Sequence, residues 1–153
     1  MRINKDIIIN KKPALASHEQ YALFAKYQEA RHTGGDMATM DYYDYQALIE
    51  ETPVNTFLLE YRRFGDLIGA CLVDLMSDGL SAVYSFFDPT DKRKSFGTQM
   101  VLTLIDIALQ RSLPYVYLGY WVSGSQKMAY KDKFQPLEYY DGHGWTPINS
   151  LRD

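Results

Sequence analysis

Cationic side chains occur in local groups, although the chain carries a formal net charge of −3. The groups are Arg62-Arg63, Lys92-Arg93-Lys94, and the trio Lys127, Lys131 and Lys133. Binding of phosphates or carboxylates depends on where the charges lie more than on their sum. The sequence therefore predicts local anion-binding sites on a protein that is not basic throughout.

Tyrosine is unusually frequent, with 13 residues in a chain of 153. A tyrosine has an apolar body and a polar tip, which suits a groove that holds a large, partly polar ligand. The alternative is that tyrosines fill the half-buried surface of a β-rich fold, and this alternative accounts for most of them.

Familiar catalytic signatures do not occur in the sequence. There is no Gly-x-Ser-x-Gly elbow, no Ser/His/Asp pattern and no metal-ligand spacing. Three scattered histidines and one cysteine do not make a metal site. The cysteine, Cys71, lies in an apolar run and is predicted to be a small core residue. We expect no metal and no other cofactor.

Composition predicts one globular domain over residues 1–153. Hydrophobic residues make up 46% and charged residues 23% of the chain, which is ordinary for a globular protein. No apolar run approaches the roughly 18 residues of a membrane span. The N-terminal apolar stretch is too short for a signal peptide. We therefore expect a cytoplasmic protein without a membrane partner.

The first part of the sequence predicts a strand and two helices. The strand covers residues 3–10. Ser17 and Gln20 form a capping box for a helix that ends near Gly34-Gly35, with Tyr21, Phe24, Ala25 and Tyr27 on its inner face. A second helix is predicted over residues 42–50, with Asp41 as its N-cap.

The second part of the sequence changes to the periodicity of strands. Residues 56–62, 67–76 and 81–87 are predicted to form an antiparallel meander. A helix over residues 96–110 follows a basic loop, and its inner face carries Met100, Leu104, Ile107 and Ala108. Residues 115–118 are predicted to form a strand parallel to the last strand of the meander.

This order of elements is typical of an α+β, GNAT-like (acyl-CoA N-acyltransferase-like) fold. That fold has a mixed, mostly antiparallel sheet with flanking helices, and two neighbouring strands splay apart to hold the acyl donor. The loop over residues 92–97 resembles the phosphate-binding loop of the fold only loosely, because a second glycine is missing after Gly97. A solvated turn explains the loop equally well.

A long run near the C-terminus carries a more specific resemblance. Residues 115–136 read YVYLGYWVSGSQKMAYKDKFQP. With residues 30–37 and 79–89, this run resembles the C-terminal domain of bacterial aspartate/glutamate leucyltransferases, which are relatives of the arginyl-tRNA–protein transferases. The resemblance covers residues 2–145. It implies an aminoacyltransferase of the N-degron pathway that moves an amino acid from charged tRNA to proteins with N-terminal Asp or Glu. Leucine is the expected amino acid, and arginine is the less favoured alternative.

Two departures from the family pattern are visible. The family has an N-terminal region with a cysteine cluster, which is not part of this sequence, so activity of the present chain by itself is an open question. Ser125 stands where many relatives carry cysteine.

The reaction implied by the resemblance needs little covalent chemistry. The donor is an activated ester, and the α-amine of the acceptor has a pKa of about 7.7–8.0, so part of it is neutral at physiological pH. Positioning and hydrogen bonds to the oxyanion can then supply much of the rate. The catalytic candidates are Asp88, at the strand end where the donor gap opens, and Tyr120, at the end of the parallel partner strand.

Binding roles follow from the same resemblance. The acidic side chain of the acceptor calls for a cation, and the candidates are Arg31, Arg93, Lys127 and Lys131. The tRNA end calls for stacking on Tyr120, Trp121 or Tyr130 and for phosphate contacts from Lys92, Arg93 or Lys94. Residues 125–133 would place Lys127 and Lys131 on one face if they form a helix.

Each assignment has a structural alternative. Lys127 and Lys131 fit a solvated surface, and Trp121 fits a core. Asp88 fits a cap for the turn into Pro89, and His32 fits either an acceptor pocket or a favourable helix C-terminus. At the level of function, the alternatives are an acyl-CoA N-acetyltransferase and a non-catalytic module that binds tRNA or protein N-termini.

Overall fold

The computed structural model describes residues 5–91, 95–119 and 129–148. The chain divides into two compact units, Met1–Gly119 and Tyr120–Asp153. The first unit contains β1 (Ile7–Pro13), α1 (His18–Arg31), a 3-10 helix (Asp36–Thr39), α2 (Tyr42–Glu50), β2 (Thr56–Arg63), β3 (Asp66–Leu75), β4 (Gly79–Phe87), α3 (Phe96–Gln110) and β5 (Tyr115–Tyr117). The second contains a 3-10 helix (Ala129–Lys133), β6 (Glu138–Tyr140) and β7 (Trp145–Pro147).

The first unit is built on a five-stranded sheet in the order β1-β2-β3-β4-β5. Neighbouring strands are antiparallel except β4 and β5, which are parallel. The meander, the parallel last strand and the α+β class are therefore as predicted. The second unit contributes a two-stranded antiparallel sheet of β6 and β7, which the sequence did not predict.

The first strand differs from its prediction. It begins at Ile7 and continues to Pro13, because the whole segment pairs with β2 from Ile7 opposite Arg63 to Pro13 opposite Phe57. Pro13 is tolerated because β1 is an edge strand and the missing N–H interrupts no second ladder. Pairing with a distant strand, rather than local sequence, sets these limits.

The helices begin where their caps predict. Ser17 Oγ accepts a hydrogen bond from the Gln20 N–H at 3.2 Å, and Gln20 Oε1 accepts one from the Ser17 N–H at 3.2 Å. Asp41 and Asp44 exchange the same pair of bonds at the start of α2. Each cap satisfies N–H groups that have no partner within the helix.

Hydrophobic side chains cover both faces of the sheet. Helix α3 packs on one face, with Leu59, Val73, Leu80, Met100 and Leu104 in a buried cluster. Helices α1 and α2 pack on the other face, with Phe24, Tyr45, Leu58, Leu72 and Phe86. Successive residues such as Leu58 and Leu59 point to opposite faces, as strand geometry requires. Cys71 is fully buried in the first cluster, which confirms its predicted role.

The inner face of α1 departs from prediction at one position. Its buried residues are Gln20, Leu23, Phe24, Tyr27 and Gln28, which follow the spacing of one helical face. This spacing leaves Ala25 exposed, so the prediction for Ala25 was wrong.

A buried polar cluster joins α1, α2 and β2. The Glu60 side chain is almost fully buried and accepts hydrogen bonds from Gln20 Nε2 at 2.9 Å and from Arg62 Nη2 at 3.0 Å. The Tyr45 hydroxyl donates to Gln20 Oε1 at 3.1 Å. A buried carboxylate is tolerated only when such partners replace its hydration. Gln20 therefore serves both the helix cap and the contact between α1 and the sheet.

Strands β4 and β5 approach closely over a short stretch. They pair only from Gly79 opposite Tyr115 to Ser81 opposite Tyr117. A Cβ atom at residue 79 would lie 2.4 Å from the main-chain oxygen of Tyr115, so only glycine allows this approach. Beyond Ser81, β4 continues to Phe87 without further pairing to β5. The parallel pairing is thus confined to the first three residues of β4.

No helix among residues 5–91, 95–119 and 129–148 has the length and apolar character needed to cross a membrane.

Replacement of Gly79 tests the close approach. We expect Gly79→Ala to lower the free energy of unfolding by about 1–3 kcal/mol, because the new methyl group overlaps the backbone of β5. Urea unfolding followed by circular dichroism measures the change. Gly144→Ala is the matched control, since nothing lies within 4 Å of a Cβ there. Equal stabilities of the two variants would contradict the interpretation.

Replacement of Glu60 tests the buried polar cluster. We expect Glu60→Ala to cost about 2–4 kcal/mol, because it leaves the Gln20 amide and part of the Arg62 guanidinium without their acceptor. Chemical denaturation measures the loss. The exposed Glu29 on α1 provides a control, and Glu29→Ala is expected to change stability by less than about 0.5 kcal/mol. A loss of less than about 1 kcal/mol for Glu60→Ala would show that the cluster is dispensable, because a typical point substitution costs as much.

Candidate functional site

The candidate site is built around the part of β4 beyond its pairing with β5, residues 82–87. The pairing of β4 with β3 contains a β-bulge, because Val73 lies opposite Ala82 and Leu72 opposite Tyr84. Val83 is the additional residue, and its side chain is exposed. Within the described part of the chain, residues 82–87 have no neighbouring strand on their β5 side.

Aromatic and cationic side chains meet at the carboxyl end of β4. The Arg31 Cζ atom lies over the Phe87 ring, 4.7 Å from its centroid, and 5.9 Å from the centroid of Tyr27. Phe87 stacks on Phe96 with a centroid distance of 5.4 Å and an interplanar angle of 9°. We call these four residues the Phe87 cluster. They join the last turn of α1, the last residue of β4 and the first residue of α3.

Local structure explains why Arg31 lies at this end. It is the last residue of α1, where the helix dipole favours a positive charge. Tyr27 precedes it by four residues and so shares its helix face. Burial raises the pKa of Tyr27, while the charge of Arg31 and a hydrogen bond from it oppose the rise. The centroid of the His32 ring lies 5.5 Å from that of the Tyr27 ring.

Asp88 follows the cluster directly in sequence. Its Oδ1 atom accepts hydrogen bonds from the Thr90 N–H at 2.9 Å, from Thr90 Oγ1 at 2.7 Å and from Lys26 Nζ at 3.0 Å. Burial acts to raise the pKa of Asp88, but the hydrogen bonds from Thr90 and the Lys26 ammonium outweigh it and hold the pKa below its usual value. Asp88 thus caps the turn into Pro89, and it is ionised at neutral pH. Such a carboxylate is a weak base but a good hydrogen-bond acceptor.

A second polar contact faces the α1 side of β4. The Gln28 amide donates a hydrogen bond to the Tyr84 hydroxyl. Burial raises the pKa of Tyr84, so its phenol stays protonated at neutral pH. Gln28 is buried in the last turns of α1, and the bond fixes the helix against the strand that borders the gap.

The Arg62-Arg63 pair, grouped with the other cations in the sequence, has a structural role. Arg62 bonds both carboxylate oxygens of Glu19 at 2.9 Å in addition to Glu60. Arg63 forms ion pairs with Asp6 and Asp91. Both guanidinium groups are therefore neutralised within the fold, which makes this pair a poor site for an external anion.

The structure brings two of the predicted site residues together. Arg31 contacts Phe87, and Asp88 is the next residue, so both lie at the carboxyl end of β4. Tyr130 and Lys131 lie in the 3-10 helix of the second unit, and burial lowers the pKa of Lys131. The other predicted residues lie outside the described part of the chain: Tyr120, Trp121, Lys127, Lys92, Arg93 and Lys94.

Several residues at this end were not predicted from the sequence to belong to the site. They are Lys26, Tyr27, Tyr84 and Phe87. The spacing of four between Tyr27 and Arg31 was a usable signal, since such pairs share a helix face. No local signal could place Phe87 beneath Arg31, because the contact joins two distant segments. Among the described residues, no group of three or more His, Cys, Asp and Glu side chains is placed to hold a metal ion.

Solved structures with a similar fold include several acetyltransferases. An aminoglycoside acetyltransferase from an uncultured soil sample, in complex with sisomicin, superimposes with a TM-score of 0.64 over 96% of this chain and 99% of its own, at 10% identity. A ribosomal-protein-alanine N-acetyltransferase from Brucella melitensis gives a TM-score of 0.59 over 82% of this chain and 89% of its own, at 17% identity. At such low identity the likeness establishes the fold alone, and it confirms the predicted GNAT-like class.

Sequence relatives are much closer. The aspartate/glutamate leucyltransferase of Paramagnetospirillum magneticum is 53% identical over 145 residues, which are 94% of this chain and 59% of the relative. That of Granulibacter bethesdensis is 47% identical over 148 residues, which are 96% of this chain and 55% of the relative. The chain thus spans less than two thirds of the length of these relatives.

A family model agrees with these relatives. The model of the arginine-tRNA-protein transferase C terminus matches residues 19–141. This range includes all four residues of the Phe87 cluster and most of the second unit. The chain therefore belongs to the arginine-tRNA-protein transferase family and corresponds to its C-terminal region.

Proposed function

We propose that this chain is an aminoacyltransferase domain that moves leucine, in preference to arginine, from charged tRNA to the α-amine of proteins that begin with Asp or Glu. The observation that carries the proposal is the position of Arg31 over Phe87, the last residue of β4, in a member of this family. The relatives at 53% and 47% identity bear the name aspartate/glutamate leucyltransferase, which favours leucine as the donor group.

The gap between β4 and β5 would hold the ester of the donor. The nitrogen of the acceptor amine attacks the ester carbonyl, and a tetrahedral intermediate carries the negative charge on its oxygen. Main-chain N–H groups along residues 82–87 can stabilise that oxygen, since they have no strand neighbour on this side within the described residues. Collapse breaks the carbon–oxygen bond of the ester, and the proton lost by the amine ends on the ribose hydroxyl through solvent.

Arg31 would bind the acidic side chain of the acceptor. A guanidinium presents several donors in one plane and matches a carboxylate in a two-bond arrangement. Lys127 and Lys131 stay as further acceptor-binding candidates. The tRNA would contact Tyr130, Trp121 and Tyr120 by stacking and Lys92, Arg93 and Lys94 through its phosphates, as proposed from sequence.

Asp88 would act as an ionised orienting group. Its lowered pKa makes it unsuited to remove a proton at neutral pH, but its carboxylate can accept a hydrogen bond from the attacking amine. Tyr120 is proposed as the second catalytic residue on the basis of the resemblance. These catalytic roles are proposals, and so is the cytoplasmic location expected for such an enzyme.

An acyl-CoA N-acetyltransferase is the second candidate, because the fold neighbours carry that activity in their names. Thermal unfolding in the presence of acetyl-CoA discriminates between the two. A ligand at 100 times its dissociation constant stabilises by about 2.7 kcal/mol, which is readily measured as a shift in Tm. A charged tRNA that shifts Tm where acetyl-CoA does not would favour the aminoacyltransferase.

Transfer of labelled amino acid is the direct test of function. Radiolabelled leucyl-tRNA and arginyl-tRNA are offered with peptides that begin with Asp, Glu or Ala, and we expect leucine on the Asp and Glu peptides. Arg31→Gln should lower kcat/KM for the Asp peptide by about 10–150-fold, the value of one charged hydrogen-bond contact. The exposed Arg111, at the opposite end of α3, gives the control variant Arg111→Gln. No transfer from either tRNA would reject the proposal.

The pH dependence of transfer tests the role of Asp88. We expect the rate to rise with pH through about 7.7–8.0 as the acceptor amine loses its proton. Asp88 stays ionised over this range because its pKa is lowered, so Asp88→Asn should reduce the rate without moving the midpoint. Asp106→Asn, at an exposed position on α3, is the control. A shifted midpoint in Asp88→Asn would contradict this role, because it would show that Asp88 changes the pKa of the acceptor amine.

A further inference from the structure

We propose that Phe87 is a positioning residue that sets the preference for acidic acceptors by holding the guanidinium of Arg31. This inference rests on the proposed function of the site, and it adds a residue that neither the sequence patterns nor the family match assigns. Phe87 itself would not touch the reacting atoms. Its effect would pass through Arg31, whose Cζ atom lies 4.7 Å from the centre of its ring.

The Phe87 ring is itself firmly held. Phe96 stacks nearly parallel to it at 5.4 Å, and Tyr27 packs against it at 5.1 Å. Phe96 is buried and contacts the fully buried Tyr61, ring edge to ring face, at 6.2 Å. A continuous series of aromatic contacts therefore extends from the core to the Arg31 guanidinium, which lies at the protein surface.

Such support matters because arginine is a flexible side chain. An exposed arginine at a helix end has rotamer entropy to lose when it binds a ligand. Stacking on an aromatic ring restricts that freedom before the ligand arrives, and this lowers the entropic cost of binding.

The geometry of stacking also suits recognition of a carboxylate. A guanidinium that stacks through its face keeps its five N–H donors directed outwards in its own plane. An acceptor carboxylate in the same plane can accept two parallel hydrogen bonds, whereas the amide of Asn or Gln offers only one acceptor oxygen. The orientation of the guanidinium plane therefore helps to discriminate Asp and Glu from Asn and Gln.

Residue 86 offers a matched control on the same strand. Phe86 is buried at 1% exposure and packs with Phe24 and Tyr45 in the cluster beneath α1 and α2. Truncation of either phenylalanine removes the same number of atoms, but only Phe87 contacts Arg31. Phe86→Leu is therefore expected to destabilise the fold at least as much as Phe87→Leu while leaving Arg31 in place.

The test compares peptides that begin with Asp and with Asn. In Phe87→Leu we expect the ratio of kcat/KM for Asp over Asn to fall about three- to tenfold, in keeping with the loss of one cation–π contact. The change should lie in the KM for the peptide, with the KM for charged tRNA unaltered. Phe87→Trp, which keeps an aromatic face, should restore the ratio, and Phe86→Leu should keep it at the wild-type value despite a lower Tm.

Direct binding separates this inference from the proposed reaction. Fluorescence anisotropy with labelled Asp and Asn peptides needs no tRNA and no turnover. If the wild-type chain prefers the Asp peptide and Phe87→Leu loses that preference, the inference stands even when no transfer occurs. If Phe87→Leu keeps the wild-type preference, or if the wild-type chain has none, the inference is overturned whatever the transfer assay gives.

Discussion

The backbone of β4 passes so close to β5 at Gly79 that a Cβ atom would lie 2.4 Å from a main-chain oxygen. This contact lies within the three residue pairs that join the two strands. The placement of β5 beside β4 therefore depends on it. An amino acid with a side chain at residue 79 would separate the strands at their closed end, so the shape of the gap rests on one backbone contact.

Helix α1 links that gap to the rest of the fold through both of its ends. At its start, Gln20 completes the cap with Ser17 and donates to the buried Glu60 on β2. At its end, Arg31 lies over Phe87 on β4. Polar contacts are directional and fix the helix along its axis, whereas apolar packing by Leu23, Phe24 and Tyr27 mainly fixes its distance from the sheet. The position of the Arg31 charge therefore depends on buried groups far from it.

The proposed reaction makes modest chemical demands. An activated ester and a partly neutral amine need placement and a donor for the oxyanion more than a nucleophile. The described residues accordingly provide an open strand edge, an ionised Asp88 and a supported Arg31 at one end of β4. Acceptor choice would then depend on side chains at the rim of the gap, while the strands that form the gap stay those of the wider fold.

Local interactions allowed the sequence by itself to determine much of the first unit. The capping boxes at Ser17 and Asp41 involve residues three apart, and the limits of α2 and α3 follow from short patterns, so these elements were predicted as they occur. The long run over residues 115–136 identified the family.

Tertiary structure decided the rest. The extent of β1 depends on its pairing with β2, and the exposure of Ala25 depends on which face of α1 packs on the sheet. The Phe87 cluster joins residues 27, 31, 87 and 96, whose contacts exist only after α1, β4 and α3 have packed. Sequence patterns report neighbours along the chain, and the contacts that place Arg31 are made between segments that only tertiary folding brings together.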